Sequence, residues 1–456
     1  MKHLHFVGIG GARLSGLAKL YFDRGCKITG SDSQESRVIR NMAQKGIQIS
    51  YGHNASNING ADLVVYTNAV GPDNPEVLEA KRLGIPLIEG AELLGELMAE
   101  IGKGIAIAGT HGKTTTSAMT ALILVEGGLD PTVLIGGELN QFQGNHRTGK
   151  TPYMVVEACE FKRSFLNLKP SVELITNIDW DHPDCFPTLD DVIKTFSDFV
   201  SLLPADGVLV TWGDDPNAFR LGKAYSGKYI SFGCQEHFDW QIKNIRPVVP
   251  IGVTAELFYH GKSQGELTLK VPGRHNLLNA TGAIALASEL GIDVDCALKT
   301  LSSFTGVQRR FEMKGEYQGA LIVDDYAHHP SAIRTTLAAA RQVFKGRIWC
   351  VFQPHLFSRT KFLLQEFASS FGDADICVLA DIYPAREIDP GDISSKDLAA
   401  VAKKHHQDVR YLGGFDKIYE HLCQNVQPGD LVITMGAGDV WKIGERLIKE
   451  GIKSSF

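Results

Sequence analysis

The feature that most constrains the fold is a junction. The apolar, small-residue run Gly104-Ile105-Ala106-Ile107-Ala108 passes directly into Gly109-Thr110-His111-Gly112-Lys113-Thr114-Thr115, and a long apolar-periodic stretch begins at Thr114. A buried strand, a glycine-containing turn and a helix in that order form the unit of parallel α/β sheets and the context a phosphate-binding loop requires. Backbone N–H groups from Gly109 to Lys113 can surround phosphates, the Lys113 ammonium can neutralise β/γ charge, and a threonine hydroxyl can ligate Mg²⁺. The pattern is not the strict G-x-x-x-x-G-K-T, because Ile107 stands where its leading glycine would be.

Acidic partners follow. Glu157 ends the strand-like run Tyr153 to Glu157, and Glu160 comes three residues later. Carboxylates at strand ends beside a phosphate loop suit the hard Mg²⁺ ion; for Glu160 a solvated surface acid is the competing reading. The segment Asn177-Ile178-Asp179-Trp180-Asp181-His182 closes a further run, Glu173 to Asn177. Ligands of such sheets bind at the carboxyl ends of the strands, so Asp181 and His182 are expected to face the same phosphates.

A second glycine loop, Gly8-Ile9-Gly10-Gly11, follows the strand-like start of the chain and opens a helix. Its backbone donors suit a diphosphate, and Asp32 falls about where an acid meets a ribose hydroxyl. Arg13 replaces the third glycine of G-x-G-x-x-G, so a tight turn alone, or a nicotinamide dehydrogenase, competes as a reading of this loop. A dehydrogenase leaves the Gly109 loop and its acids without a purpose.

A chain of 456 residues exceeds what one core usually organises, so two to four domains are expected, with three as a first guess. The net charge of -6 argues against a nonspecific nucleic-acid binder. The eight cysteines show no C-x-x-C or zinc-like spacing and are expected to be reduced thiols. With a strand-like run at the N-terminus and no apolar run of membrane-spanning length, a cytoplasmic protein that does not enter the membrane is expected.

Strand-like and helix-length segments alternate from Leu4 to Tyr66, and again from Gly104 to Thr211. An antiparallel stretch follows over 238–271, with His260-Gly261-Lys262 as a turn. A third βα series runs at Ala320 to Val323, Arg347 to Phe352, Ile376 to Leu379 and Leu431 to Met435, with helices at Ser331 to Val343 and Ser394 to His405. The fold class is therefore α/β in three domains: a Rossmann-like domain over 1–99, a mostly parallel phosphate-loop domain with added antiparallel strands over 100–308, and a Rossmann-like domain over 309–456.

At this point the sequence resembles the Mur ligases, whose ATP loop reads G-T-x-G-K-T. The likeness extends to Arg274-His275-Asn276-Leu277-Leu278-Asn279-Ala280, Asp324-Asp325-Tyr326-Ala327-His328-His329-Pro330, Phe352-Gln353-Pro354-His355-Leu356-Phe357-Ser358-Arg359-Thr360 and Asp381-Ile382-Tyr383-Pro384-Ala385-Arg386-Glu387. Together these resemble the branch that adds L-alanine to UDP-N-acetylmuramate. The murein-tripeptide ligases of cell-wall recycling are the runner-up. Cys159 departs from the commoner E-A-D-E string.

The resemblance implies an ATP-dependent ligase of peptidoglycan precursor synthesis that takes ATP, Mg²⁺, UDP-N-acetylmuramate and L-alanine and acts as a monomer or homodimer. It implies that Gly8, Gly10, Gly11, Asp32 and Asn177 serve the UDP-sugar. Gly109, Thr110, His111, Gly112, Lys113, Thr114, Thr115, His275, Asn276, Asn279 and Arg310 serve ATP. Thr114, Glu157 and His182 are the implied metal ligands, and Lys113, Glu157, His182, His328, His329 and Arg359 the implied catalytic set. His328 and His329 are candidates to orient or deprotonate the amino acid, and Arg359 and Arg386 to hold an anion bidentately. For either histidine a purely structural place at a helix start is an equal reading. A noncatalytic nucleotide-dependent scaffold is the alternative of another class.

Overall fold

A computed structural model describes residues 2–453 apart from 68, 183, 184 and 386, and the chain separates into two compact units. The first holds residues up to Asp179, Leu189–Trp240 and Gly282–Ala297; the second holds Trp180–Thr188, Gln241–Thr281 and Leu298 onward.

The first unit opens with a five-stranded sheet in the order Gln48–Tyr51, Lys27–Asp32, His3–Val7, Leu63–Tyr66, Leu87–Glu89. All its pairings are parallel. The chain steps outward one way from His3–Val7 and then returns to build the other half. That reversal leaves a crevice at the carboxyl end of the central strand, where Gly8 begins the loop into the helix Ala12–Asp23.

The same unit contains the strand Lys103–Ala108, flanked in parallel by Pro170–Ile175 and Tyr153–Glu157. Beyond these lie Val208–Trp212 and Lys228–Gly233 on one side and Thr132–Leu139 on the other. The antiparallel edge strand Gly144–Arg147 completes that side. Lys103–Ala108 is buried from Gly104 on and delivers the chain through residues 109–112 into the helix Lys113–Glu126. The strand expected over Glu173 to Asn177 lies earlier. Thr176 and Asn177 leave the ladder because their polar groups are bound to the phosphate loop.

In the second unit, Val253–Tyr259 and Lys262–Leu269 pair antiparallel across a two-residue turn, Tyr259 facing Lys262. His260 and Gly261 both adopt positive φ, 46° and 75°, the geometry a tight hairpin with right-twisted strands needs. The C-terminal sheet has the order Glu312–Tyr317, Ala320–Asp325, Leu431–Met435, Ile348–Phe352, Ile376–Ala380, Val409–Gly413. The pair Glu312–Tyr317 with Ala320–Asp325 is antiparallel and the rest are parallel. Alternate residues of the inner strands enter two separate cores. Val323, Cys350, Phe352, Leu379 and Ile433 pack with Phe367 and Phe371, while Ile322, Trp349, Val351 and Val378 pack with Ile418 and Leu447. A sheet buried on both faces must be covered by helices on both, which is the doubly wound arrangement.

Candidate functional site

The phosphate loop is braced before any ligand is considered. Gly109 has φ of 135°, and a Cβ there would lie 2.0 Å from Thr176 Oγ1, so only glycine passes this point without displacing Thr176. Thr176 Oγ1 donates to the His111 carbonyl at 2.6 Å. The Asn177 carboxamide clasps the same residue, accepting from His111 N and donating to His111 O, each at 2.9 Å. Asn177, expected with the UDP-sugar, is thus engaged with the phosphate loop in this structure. Gly112, at φ of 84°, turns the chain into the helix that starts at Lys113, leaving the N–H groups of its first turn without partners inside the helix.

Lys113 Nζ donates to the carbonyls of Gly109 and Thr110 and forms an ion pair with Glu160, 3.0 Å from Oε1 and 2.9 Å from Oε2. Glu160 is only 2% exposed, so the solvated surface acid weighed from sequence is corrected: this is a buried counter-ion. Burial works against the Lys113 charge, but Glu160, with smaller contributions from Cys159 and Glu157, outweighs it and holds the ammonium above its ordinary range. Thr114 is buried at the helix start. Glu157 is half-buried, and its Oε2 accepts from Gly136 N at 2.7 Å.

The N-terminal loop borders a cleft of about 510 Å³ lined by Gly8, Gly11, Asp32, His53, Thr67 and Asn74, among others. Asp32 Oδ2 accepts from Gly10 N at 2.9 Å, so the carboxylate also shapes the loop. Behind the cleft Glu76 is fully buried, receiving Ser31 Oγ at 2.5 Å and the Asn57 amide, with His5 Nε2 3.7 Å away. Its burial opposes ionisation, yet the nearby His5 ring and the hydrogen bonds from Ser31 and Asn57 prevail and bring its carboxyl down to about 2. Sequence reasoning missed this group, since Glu76 has no motif around it. Arg13 donates to Ser164 Oγ at 3.0 Å. The departure from the third glycine therefore serves packing against the 161–167 segment.

The second unit gathers another set. Asp181 is buried and accepts from Arg359 Nη2 at 2.9 Å and from His182 N at 2.7 Å. Burial would raise its carboxyl, but His182 and Arg359 hold it well below the usual range. Arg359, 3% exposed, also approaches His355 Nδ1 at 3.4 Å, and its Nε is buried with no hydrogen-bond partner among the described residues. His182 has a φ of 56°. His328 Nδ1 lies 2.9 Å from the Tyr326 carbonyl. A carbonyl only accepts, so Nδ1 carries the hydrogen and Nε2 the lone pair. Burial, with Arg359 adding to it, keeps His328 neutral far below its ordinary range. His329 Nδ1 is 2.7 Å from Ser331 Oγ.

Arg309 is paired with Asp324 at 2.9 Å, and both Arg309 and Arg310 stand over the Tyr326 ring, at 4.9 Å and 5.1 Å. His275, Asn276 and Asn279 sit in the helix Arg274–Glu289; burial lowers His275 to about 4, and Asn276 donates to the Pro272 carbonyl at 2.7 Å. Arg386 lies outside the described residues. His355 and Tyr383 stack at 5.7 Å; both were quoted in the motifs but given no role. The i, i+4 spacing of His355 and Arg359 was the available signal.

An α/β chain with a strand–glycine loop–helix junction, a lysine in that loop and a glycine-loop sheet before it has the architecture of a nucleotide-using enzyme. Comparison with known proteins makes this specific: the chain belongs to the Mur ligase family, matching the Mur ligase family catalytic domain over 3–101, the middle domain over 107–287 and the glutamate ligase domain over 309–438. It is 44% identical to a UDP-N-acetylmuramate–L-alanine ligase of Caldanaerobacter subterraneus subsp. tengcongensis, covering 99% of this chain and 98% of the relative. Among solved structures, it resembles a UDP-N-acetylmuramate–alanine ligase of Thermotoga maritima at TM-score 0.86 and 29% identity, covering all of both chains. A murein peptide ligase of Psychrobacter arcticus is similar at TM-score 0.72 and 26% identity over 99% of each chain. The three-domain α/β expectation is borne out by these matches, and no helix among the described residues is long and apolar enough to cross a membrane.

Proposed function

We propose that this chain is an ATP-dependent ligase that joins L-alanine to the carboxylate of UDP-N-acetylmuramate. The observation that carries the reading is the braced loop from Gly109 to Thr114 with its charged Lys113, in a chain 44% identical over nearly full length to a ligase of that name. The tripeptide ligase has less support, its solved structures matching at TM-scores of 0.72 and 0.63 against 0.86 for the alanine ligase.

A carboxylate is a poor electrophile. The muramyl carboxylate oxygen attacks the γ-phosphorus and ADP leaves, giving an acyl phosphate; the alanine amine then attacks the acyl carbon and phosphate leaves. The first step brings anions together, and Lys113, assisted by the N–H groups of the loop, stabilises the charge that develops. Thr114 and Glu157 supply hard oxygen donors that fit Mg²⁺, with His182 for a second ion, and Mg²⁺ held there would neutralise phosphate charge. Gly109 to Thr115, His275, Asn276, Asn279 and Arg310 serve ATP, and Gly8, Gly10, Gly11 and Asp32 serve the diphosphate of the UDP-sugar. Asn177 acts through the phosphate loop.

Neutral His328 is a weak base whose acceptor is Nε2, which suits orienting the amine more than removing its proton. His329 shares that task, and Arg359 holds an anionic oxygen through a guanidinium already fixed by Asp181. The domains divide as 1–99, 100–308 and 309–456, and the protein works in the cytoplasm as a monomer or homodimer. Lys113→Ala is expected to abolish ligation and leave UDP-N-acetylmuramate binding, followed by calorimetry, nearly intact. Turnover near the wild-type level would contradict the assignment.

A further inference from the structure

An ammonium group has three N–H donors and no acceptor. In this structure the donors of Lys113 are used by the Gly109 carbonyl, the Thr110 carbonyl and the Glu160 carboxylate. Any phosphate that Lys113 is to hold must therefore displace one of the three. Two are neutral carbonyls of the loop itself. The third is a carboxylate, 2% exposed, both of whose oxygens lie within 3.0 Å of the lysine Nζ.

We propose that Glu160 is an intramolecular competitor of nucleotide phosphate for Lys113, a positioning residue that holds the ammonium against its loop until phosphates displace it. The inference rests on the ATP reading of that loop and deepens it. Glu160 is distinguished from Glu157 by its surroundings. Glu157 is half-buried and contacts a backbone N–H, whereas Glu160 is enclosed and directed at Nζ. Removing the lysine from a buried carboxylate leaves an uncompensated charge, which is costly. That cost is subtracted from the affinity for nucleotide.

The test is calorimetric titration of the full chain with ATP, once in EDTA and once in excess Mg²⁺. If Glu160 competes for Lys113, Glu160→Gln tightens binding of metal-free ATP by about tenfold, a change of the order of typical coupling free energies. Glu160→Asp, which keeps the charge but withdraws it by one methylene, shifts affinity in the same direction by less, and serves if the glutamine variant folds poorly. Unchanged or weakened metal-free binding in these variants would overturn the proposal. Weakening seen only with Mg²⁺ would overturn it too, and make Glu160 a metal ligand. If the wild-type chain binds UDP-N-acetylmuramate but no ATP under either condition, the ATP reading itself fails, and the competitor with it.

Discussion

Several charged side chains of the candidate site are held by ion pairs in places that water reaches poorly. Arg359 shows what this implies. Its guanidinium and the Asp181 carboxylate are both buried and 2.9 Å apart, so removing either strands the other. Breaking a buried pair from one side costs about 3 to 5 kcal/mol, whereas removing both partners costs far less. Arg359→Met is therefore expected to lower unfolding free energy by about 3 kcal/mol, and the double variant Arg359→Met with Asp181→Asn to recover part of that loss. Denaturant unfolding of the four proteins checks it; losses that simply add would mean the two groups are not coupled. Such pairing was only half legible in the sequence. Asp181 and Arg359 each stood out in a motif, but they are far apart along the chain and nothing local joins them. The burial of Glu160 was hidden for the same reason, since a carboxylate three residues past a strand end can equally well be solvated until its partner is known.

Between elements, close approach sets the requirements. In the helix Gly90–Ile101, a Cβ on Gly95 would stand 1.9 Å from the Asn167 carbonyl. The obstacle is backbone, which cannot swing aside. Gly95→Val is expected to destabilise the first unit by about 3 kcal/mol or to push the helix off the 161–167 segment, with thermal unfolding as the measure. An unchanged melting temperature would show that the contact yields easily.

The elements themselves were legible where one pattern held. Leu63–Tyr66, Tyr153–Glu157 and Leu431–Met435 begin and end where the apolar runs do. Strands that the periodicity did not reveal are edges or short. Gly144–Arg147 reads Gly-Asn-His-Arg and pairs on one side only. Glu312–Tyr317 is an antiparallel edge in which Glu312, Lys314 and Glu316 alternate with the rest. Edge strands are buried on fewer sides, so their composition carries less signal, and charges there discourage wrong pairing.

Across the whole molecule, the phosphate-loop architecture was the most legible part, because the loop chemistry demands glycine, lysine and threonine at fixed spacing between a strand and a helix. The glycine turn of the first sheet, between a strand and a helix, was legible in outline, but the buried Glu76 group behind it was not. Its partners Ser31, His5 and Asn57 come from three separate segments, and only the folded sheet brings them together.

The central claim is that ATP cleavage in this chain is bound to joining an amino acid to a sugar carboxylate. It is tested most directly by measuring phosphate release from Mg-ATP with UDP-N-acetylmuramate and L-alanine, each also omitted in turn, while the product is weighed by mass spectrometry. Release that needs both substrates, with a product heavier by one alanyl residue, is the result expected. Release that needs neither, or that appears only when a murein tripeptide replaces L-alanine, would contradict the account.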